Sequence, residues 1–187
     1  MNHLRRVILT VLLTLGTLFT VSVVSAESNQ LEDLLPQYND FKWTYHGIAE
    51  YGHEMMITSI VLSDNDMHYS VDGRVYDASG GESNADYSLS MTYIVKLDVI
   101  IQEKNEEMML DSNYDRIELI RGPLEEGTTW TQEVEGEDGG TTTLECTIEQ
   151  IESDGDSNVY TVLYEDMNSP YYEKREMKEN TGIISFE

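Results

Sequence analysis

Two short runs carry side chains that could hold a metal ion. His46 and His53 flank the stretch from Gly47 to Gly52, which could fold the two imidazoles toward each other, with Glu50 and Glu54 as oxygen donors. Nitrogen and carboxylate ligands in that grouping are zinc chemistry. The plainer reading makes Glu50 to His53 a hairpin corner, in which Gly52 supplies a positive φ and the imidazole is tied to a backbone carbonyl. The second run is Asp154, Gly155, Asp156, Ser157 and Asn158, with Glu165 eleven residues after Asp154, mimicking positions 1, 3, 5 and 12 of a calcium loop. Val159 stands where that loop needs glycine, so a turn between strands is the simpler account and a weak calcium site the alternative. His68 alternates with Ser70 and Asp72 opposite Met67, Tyr69 and Val71, as a solvated strand residue would.

Other chemistries leave no trace. The chain has no Gly-x-Ser-x-Gly elbow, no phosphate-cradling glycine loop, no HExxH and no paired CxxC. With 36 acids, paired carboxylates occur almost anywhere, so they say little about glycoside hydrolysis. The single cysteine, Cys146, shares parity with Leu144 and Ile148, which makes it a small core residue and leaves no intramolecular disulfide. The residues single out no catalytic side chain, and no cofactor beyond that weak calcium is expected.

The elements that must position these residues are strands. Leu89, Met91, Tyr93, Val95, Leu97, Val99 and Ile101 alternate with Ser90, Thr92, Ile94, Lys96, Asp98 and Ile100, which predicts one sheet face of period two. Shorter alternations begin at Phe41, Met67, Ile117, Leu144 and Tyr160, separated by turn formers such as Asp64-Asn65-Asp66 and Asp154-Gly155-Asp156. Pro36 to Trp43-Thr44 repeats the spacing of Pro123 to Trp130-Thr131, with the tryptophans 87 residues apart. Ile57 to Ile60 then corresponds to Ile148 to Ile151, Ser63 to Asp66 to Ser153 to Asp156, and Asp86-Tyr87 to Pro170-Tyr171.

The expected fold class is therefore all-β, an antiparallel meander of about ten strands in two related halves, residues 36–122 and 123–187, forming a curved sheet, half-barrel or sandwich. Residues 39–187 make one domain, because neither half is large enough to bury a good core alone. Residues 27–38 hold a linker and a short helix, with Ser28 as cap, Leu31, Leu34 and Leu35 on one side, and Pro36 ending it.

Arg5 and Arg6, an uncharged run from Val7 to Val24, and small residues ending at Ala26 read as a secretory signal over 1–26. The run is eighteen residues long, so an uncleaved membrane anchor is the alternative. A formal net charge of −25 repels phosphate backbones and anionic lipid, so no nucleic acid and no membrane association after cleavage are expected. The acids are spread along the whole chain, which favours a solvating role over a docking block.

Four segments carry a resemblance: Leu35-Pro36 to Tyr45, Ala49 to His53, Gly122-Pro123 to Trp130, and Tyr172 to Arg175 with Gly182 to Ile184. Together they resemble secreted proteins and lipoproteins of Gram-positive bacteria, in Firmicutes, that open on a proline, glycine and tryptophan motif and have no assigned activity. The resemblance implies a fold and an exported location, and it implies no reaction. The chain departs from the lipoprotein members in having no cysteine at the cleavage site. The functional expectation is a secreted, non-catalytic binding or envelope-associated module for an extracellular ligand or protein, with an apolar or peptide ligand in the sheet's concavity. The alternatives are an extracellular hydrolase using carboxylates or the His46/His53 metal, and an accessory or inhibitor protein of another exported enzyme.

Overall fold

Alternating burial follows the sequence parity closely. In the strand Thr129–Glu135, Trp130, Gln132 and Val134 are buried while Thr129, Thr131, Glu133 and Glu135 are exposed. The computed structural model describes residues 30–47, 51–108, 112–136 and 139–187; the expected signal segment, Ser28 and Glu50 lie outside them. Among the described residues eleven strands follow one 3₁₀ turn, Glu32–Leu34. They are β1 Lys42–His46, β2 Gly52–Ser63, β3 Asp66–Val75, β4 Ser88–Val95, β5 Val99–Glu106, β6 Arg116–Arg121, β7 Thr129–Glu135, β8 Thr141–Asp154, β9 Ser157–Asp166, β10 Tyr172–Lys178 and β11 Gly182–Phe186.

The protein is all-β. Strands β1 to β6 form one antiparallel meander sheet and β7 to β11 a second, and the break between them falls between Arg121 and Thr129. The two halves are related in detail. A bulge interrupts the β2–β3 ladder between Ile57 and Ser59, and another interrupts β8–β9 between Ile148 and Gln150. These are equivalent positions of the sequence repeat, and Val71 and Val162 pair opposite each bulge. The tight turns differ by one residue from the sequence match: Ser63 pairs with Asp66, whereas Asp154, not Ser153, pairs with Ser157. Asp64 and Asn65 both have positive φ, as a two-residue hairpin turn of mirror-image type requires. The first sheet has six strands and the second five, so β6 has no equivalent in the second half.

The long alternating stripe from Leu89 to Ile101 is two strands and not one. It turns at Leu97-Asp98, where Lys96 N–H donates to the Val99 carbonyl at 2.9 Å, leaving Leu97 87% exposed. No glycine, proline or asparagine marks this turn, and the hydrophobic parity runs through it unbroken. The expected helix shortens to the single 3₁₀ turn, whose Leu34, with Leu31 and Leu35 on either side, caps the core.

Facing sheets bury one core around both tryptophans, five tyrosines (Tyr69, Tyr93, Tyr114, Tyr160 and Tyr164) and the aliphatic inner rows. Gly73 in β3 lies so close to β2 that a Cβ would collide with the Glu54 carbonyl oxygen and with Met55 Cα. A strand glycine of this kind lets neighbouring backbones approach, which coils the sheet.

Side chains close the seams between the sheets. At the β6/β7 seam, Gln132 Oε1 accepts the Glu118 N–H at 2.7 Å and Gln132 Nε2 donates to the Glu118 carbonyl at 3.0 Å. One amide thus replaces a ladder pair. From β9, the Tyr164 hydroxyl donates to the Leu119 carbonyl. At the β1/β11 seam, Trp43 Nε1 donates to the Thr181 carbonyl at 2.6 Å and the Tyr45 hydroxyl to the Ile183 carbonyl at 2.7 Å.

Replacing Gln132 with leucine leaves a main-chain donor and acceptor of Glu118 unpaired in a mostly buried seam. We expect a loss of about 1–3 kcal/mol in urea unfolding, with earlier amide exchange at Glu118. Replacement of exposed Glu133 by leucine, one residue away, should leave both unchanged.

Candidate functional site

The sequence candidates separate in space. Register places Tyr45 opposite His53 and His46 opposite Gly52, so His46 and His53 point to opposite faces of the sheet. His53 is fully buried between the rings of Tyr45 and Phe186, at 4.6 and 5.8 Å, with its Nδ1 3.4 Å from the Tyr51 hydroxyl. His46 and Glu54 are exposed on the outer face. The three do not form a common zinc centre, because successive strand residues alternate faces. Glu50 is outside the described residues.

The calcium set also comes apart. Asp154 pairs with Lys178 at 2.6 Å, and Asn158 donates to Glu179 at 3.0 Å. Glu165 lies at the far end of β9, roughly 26 Å from the turn at about 3.3 Å per residue. Asp156 belongs to the two-residue turn of the β8–β9 hairpin, so the run is a turn. Among the described residues, no group of three or more His, Cys, Asp or Glu side chains is placed to hold a metal ion.

The structure places a buried ionic chain on β10. Glu173 and Arg175 share parity with Met177 and face inward from β10, 2% and 1% exposed. Arg175 Nη2 donates to Glu173 Oε2 at 2.9 Å and Nη1 to Gln102 Oε1 at 3.0 Å, and the guanidinium lies 5.7 Å from the Tyr164 ring centroid. Glu173 Oε1 accepts the hydroxyls of Ser112 and Tyr171, both at 2.7 Å. The Lys104 ammonium donates to the Ser112 carbonyl at 3.1 Å and pairs with Glu106 at 3.2 Å. The Gln102, Lys104, Glu173 and Arg175 side chains were missed because each is polar and sits beside a half-buried charged residue, Glu103, Lys174 or Glu176. The usable signal was the parity of Arg175 with Met177. At the inner end of the chain, Gln102 borders a cavity of only about 10 Å³ beside His53 and Met91. The space between the sheets is therefore filled by side chains at this point.

The outer end of the chain opens on a cleft of about 790 Å³. Tyr114 reaches it from the segment before β6 and Tyr171 from the residue before β10, their rings edge to face at 5.9 Å. Thr141 and Thr142 come from the start of β8, Asp166 from the end of β9, and Asn168 and Ser169 from the turn after it. Asp166 Oδ1 accepts the Thr142 hydroxyl at 2.6 Å and the Asn168 N–H at 2.8 Å, and Oδ2 accepts the Ser169 hydroxyl at 2.8 Å. These bonds, the Thr142 one foremost, hold its carboxyl below the usual range. Burial, then the charges of Asp166 and Glu173, push the Tyr114 phenol up to about 12. Tyr171 is raised for the same first reason and by Glu173. Burial likewise raises the Cys146 thiol to about 12, so it is not a nucleophile near neutral pH.

Compared with known protein families, curated proteins and solved structures, the chain matches none. The geometry of the site itself therefore has to carry any functional argument.

Two outcomes test this description. Arg175→Met strands the buried Glu173 carboxylate, so unfolding free energy should drop by about 3–5 kcal/mol, and the double variant Glu173→Leu with Arg175→Met should regain part of it. The raised tyrosines act in the opposite pH range from carboxylates. Their folded pKa exceeds the unfolded value of 10.0, so their contribution is complete below pH 10 and lost as pH climbs toward about 12. Urea midpoints measured from pH 8 to 12 should hold and then fall, with phenolate absorbance appearing together with unfolding.

Proposed function

We propose that the protein is a secreted, non-catalytic binding module that takes its ligand in the end cleft. The observation that carries this reading is the cleft's construction. It has the volume of a small-molecule site, two tyrosine rings in its wall, several polar groups converging on it, and a buried ionic chain fixing Tyr171 from behind. Tyr114 and Tyr171 are held by packing on strand ends, so the site is formed before any ligand arrives, which lowers the ordering cost of binding. The interior cavity of about 10 Å³ gives an apolar ligand no room between the sheets, which moves the binding site from the sheet's concavity to its rim.

Export is supported by the sequence of residues 1–26. No helix among the described residues is long and apolar enough to cross a membrane. A second reading, an accessory protein for another exported enzyme, draws on Val61, Leu62 and Leu97, which are 53%, 67% and 87% exposed near the β2–β3 and β4–β5 turns.

A small-molecule fragment screen by NMR on the protein and on the cleft-filling variant Asn113→Trp tests the first reading. Hits should shift amides of residues 112–114 and 166–171, and the variant should lose them. Hits that map instead to the Leu62 and Leu97 turns and survive in the variant would favour the accessory reading. In the same study, protein recovered from culture medium should begin at Glu27.

A further inference from the structure

We propose that the end cleft reads a neutral polyhydroxylated ligand, a short saccharide, through the hydroxyl of Tyr114. The inference rests on the cleft being the binding site, and it follows from which polar groups there are already used and which are open.

The charged groups are used. Asp166 spends both oxygens on Thr142, Asn168 and Ser169, and Glu173 spends both on Ser112, Tyr171 and Arg175 while being 2% exposed. Neither offers an ammonium ligand a bare carboxylate edge. Among the described residues no lysine or arginine lines the cleft, and Arg175 behind it is held by Glu173 and Gln102. An anionic ligand would meet no cation there, and the chain's net charge of −25 would oppose its approach.

The open groups are neutral and of one kind. Tyr114 is 4% exposed, its ring packed in the core, yet its hydroxyl borders the cleft and has no hydrogen-bond partner in the protein. The side chains of Asn113 and Thr141 border the cleft and are likewise unbonded. A phenol and an aliphatic hydroxyl each donate and accept, and an amide does both through separate atoms. Ligand hydroxyls, which also donate and accept, can satisfy all three at once. The core holds the Tyr114 ring in position, so a ligand hydroxyl that bonds to its phenol meets an oriented group and bears little ordering cost.

The test uses the full chain, titrated with neutral tri- and tetrasaccharides of glucose, galactose and N-acetylglucosamine. Spermidine, citrate and an N-acetylated, C-amidated trialanine peptide serve as cationic, anionic and peptide comparators. At least one neutral saccharide should bind. Tyr114→Phe should weaken it about tenfold, the equivalent of one hydrogen bond, and leave the melting midpoint unchanged, since the hydroxyl has no partner in the protein. Asn113→Ala should weaken it as well. Binding of spermidine, citrate or the peptide in place of saccharides, lost in Tyr114→Phe, would overturn the ligand class and keep the cleft as the site. Saccharide binding that both variants leave unchanged would overturn the cleft reading with it, and no saccharide binding at millimolar concentration would overturn the inference.

Discussion

Edge strands present unpaired main-chain groups, and two open sheets have four edges to manage. Here the meeting edges do not share a continuous ladder, so side chains stand in for the missing backbone. Gln132 does this most completely, since its amide has the same donor and acceptor as a peptide group and couples to Glu118 as a strand residue would. Trp43 and Tyr45 offer only donors, and accordingly they meet only carbonyls, those of Thr181 and Ile183. With the seams joined in this way, the two inner faces can bury each other's apolar rows, and the strand ends are held at a fixed spacing that leaves an opening at one end.

That opening is where the interior polar residues gain their meaning. A buried ion pair is seldom a net source of stability compared with apolar packing, but it constrains geometry because every member must be satisfied. Glu173 accepts from Arg175 and Tyr171 on its own segment and from Ser112, 61 residues away, so two segments distant in sequence are fixed relative to one carboxylate. Tyr171 cannot swing into the cleft without giving up its bond to that carboxylate.

Strand content was readable because parity in a half-buried sheet is written directly into the order of apolar and polar residues, as in Trp130, Gln132 and Val134. The relation between halves was readable for a similar reason: equivalent bulges keep equivalent flanking isoleucines, Ile57 and Ile148. Parity fails where a turn has no distinctive chemistry, as at Leu97-Asp98, where tertiary pairing decides and leaves no local mark. At Glu173 and Arg175 parity holds, shared with Met177, and it is their charge that hides the inward position. The proposed metal ligands show the same limit from the other side. His46 and His53 are near in sequence and adjacent in strand pairing, yet a single change of parity puts a sheet between them.

The two indoles occupy different seams and different electrical settings. Trp43 gives its N–H to the carbonyl of Thr181, the residue before β11, whereas Trp130 Nε1 is buried with no partner. Excited-state emission from an indole depends on what surrounds that nitrogen, so the chain carries two built-in fluorophores of distinct colour, one at each junction. Loosening of the carboxy-terminal strand and parting of the halves would thus be spectrally separable without any added dye.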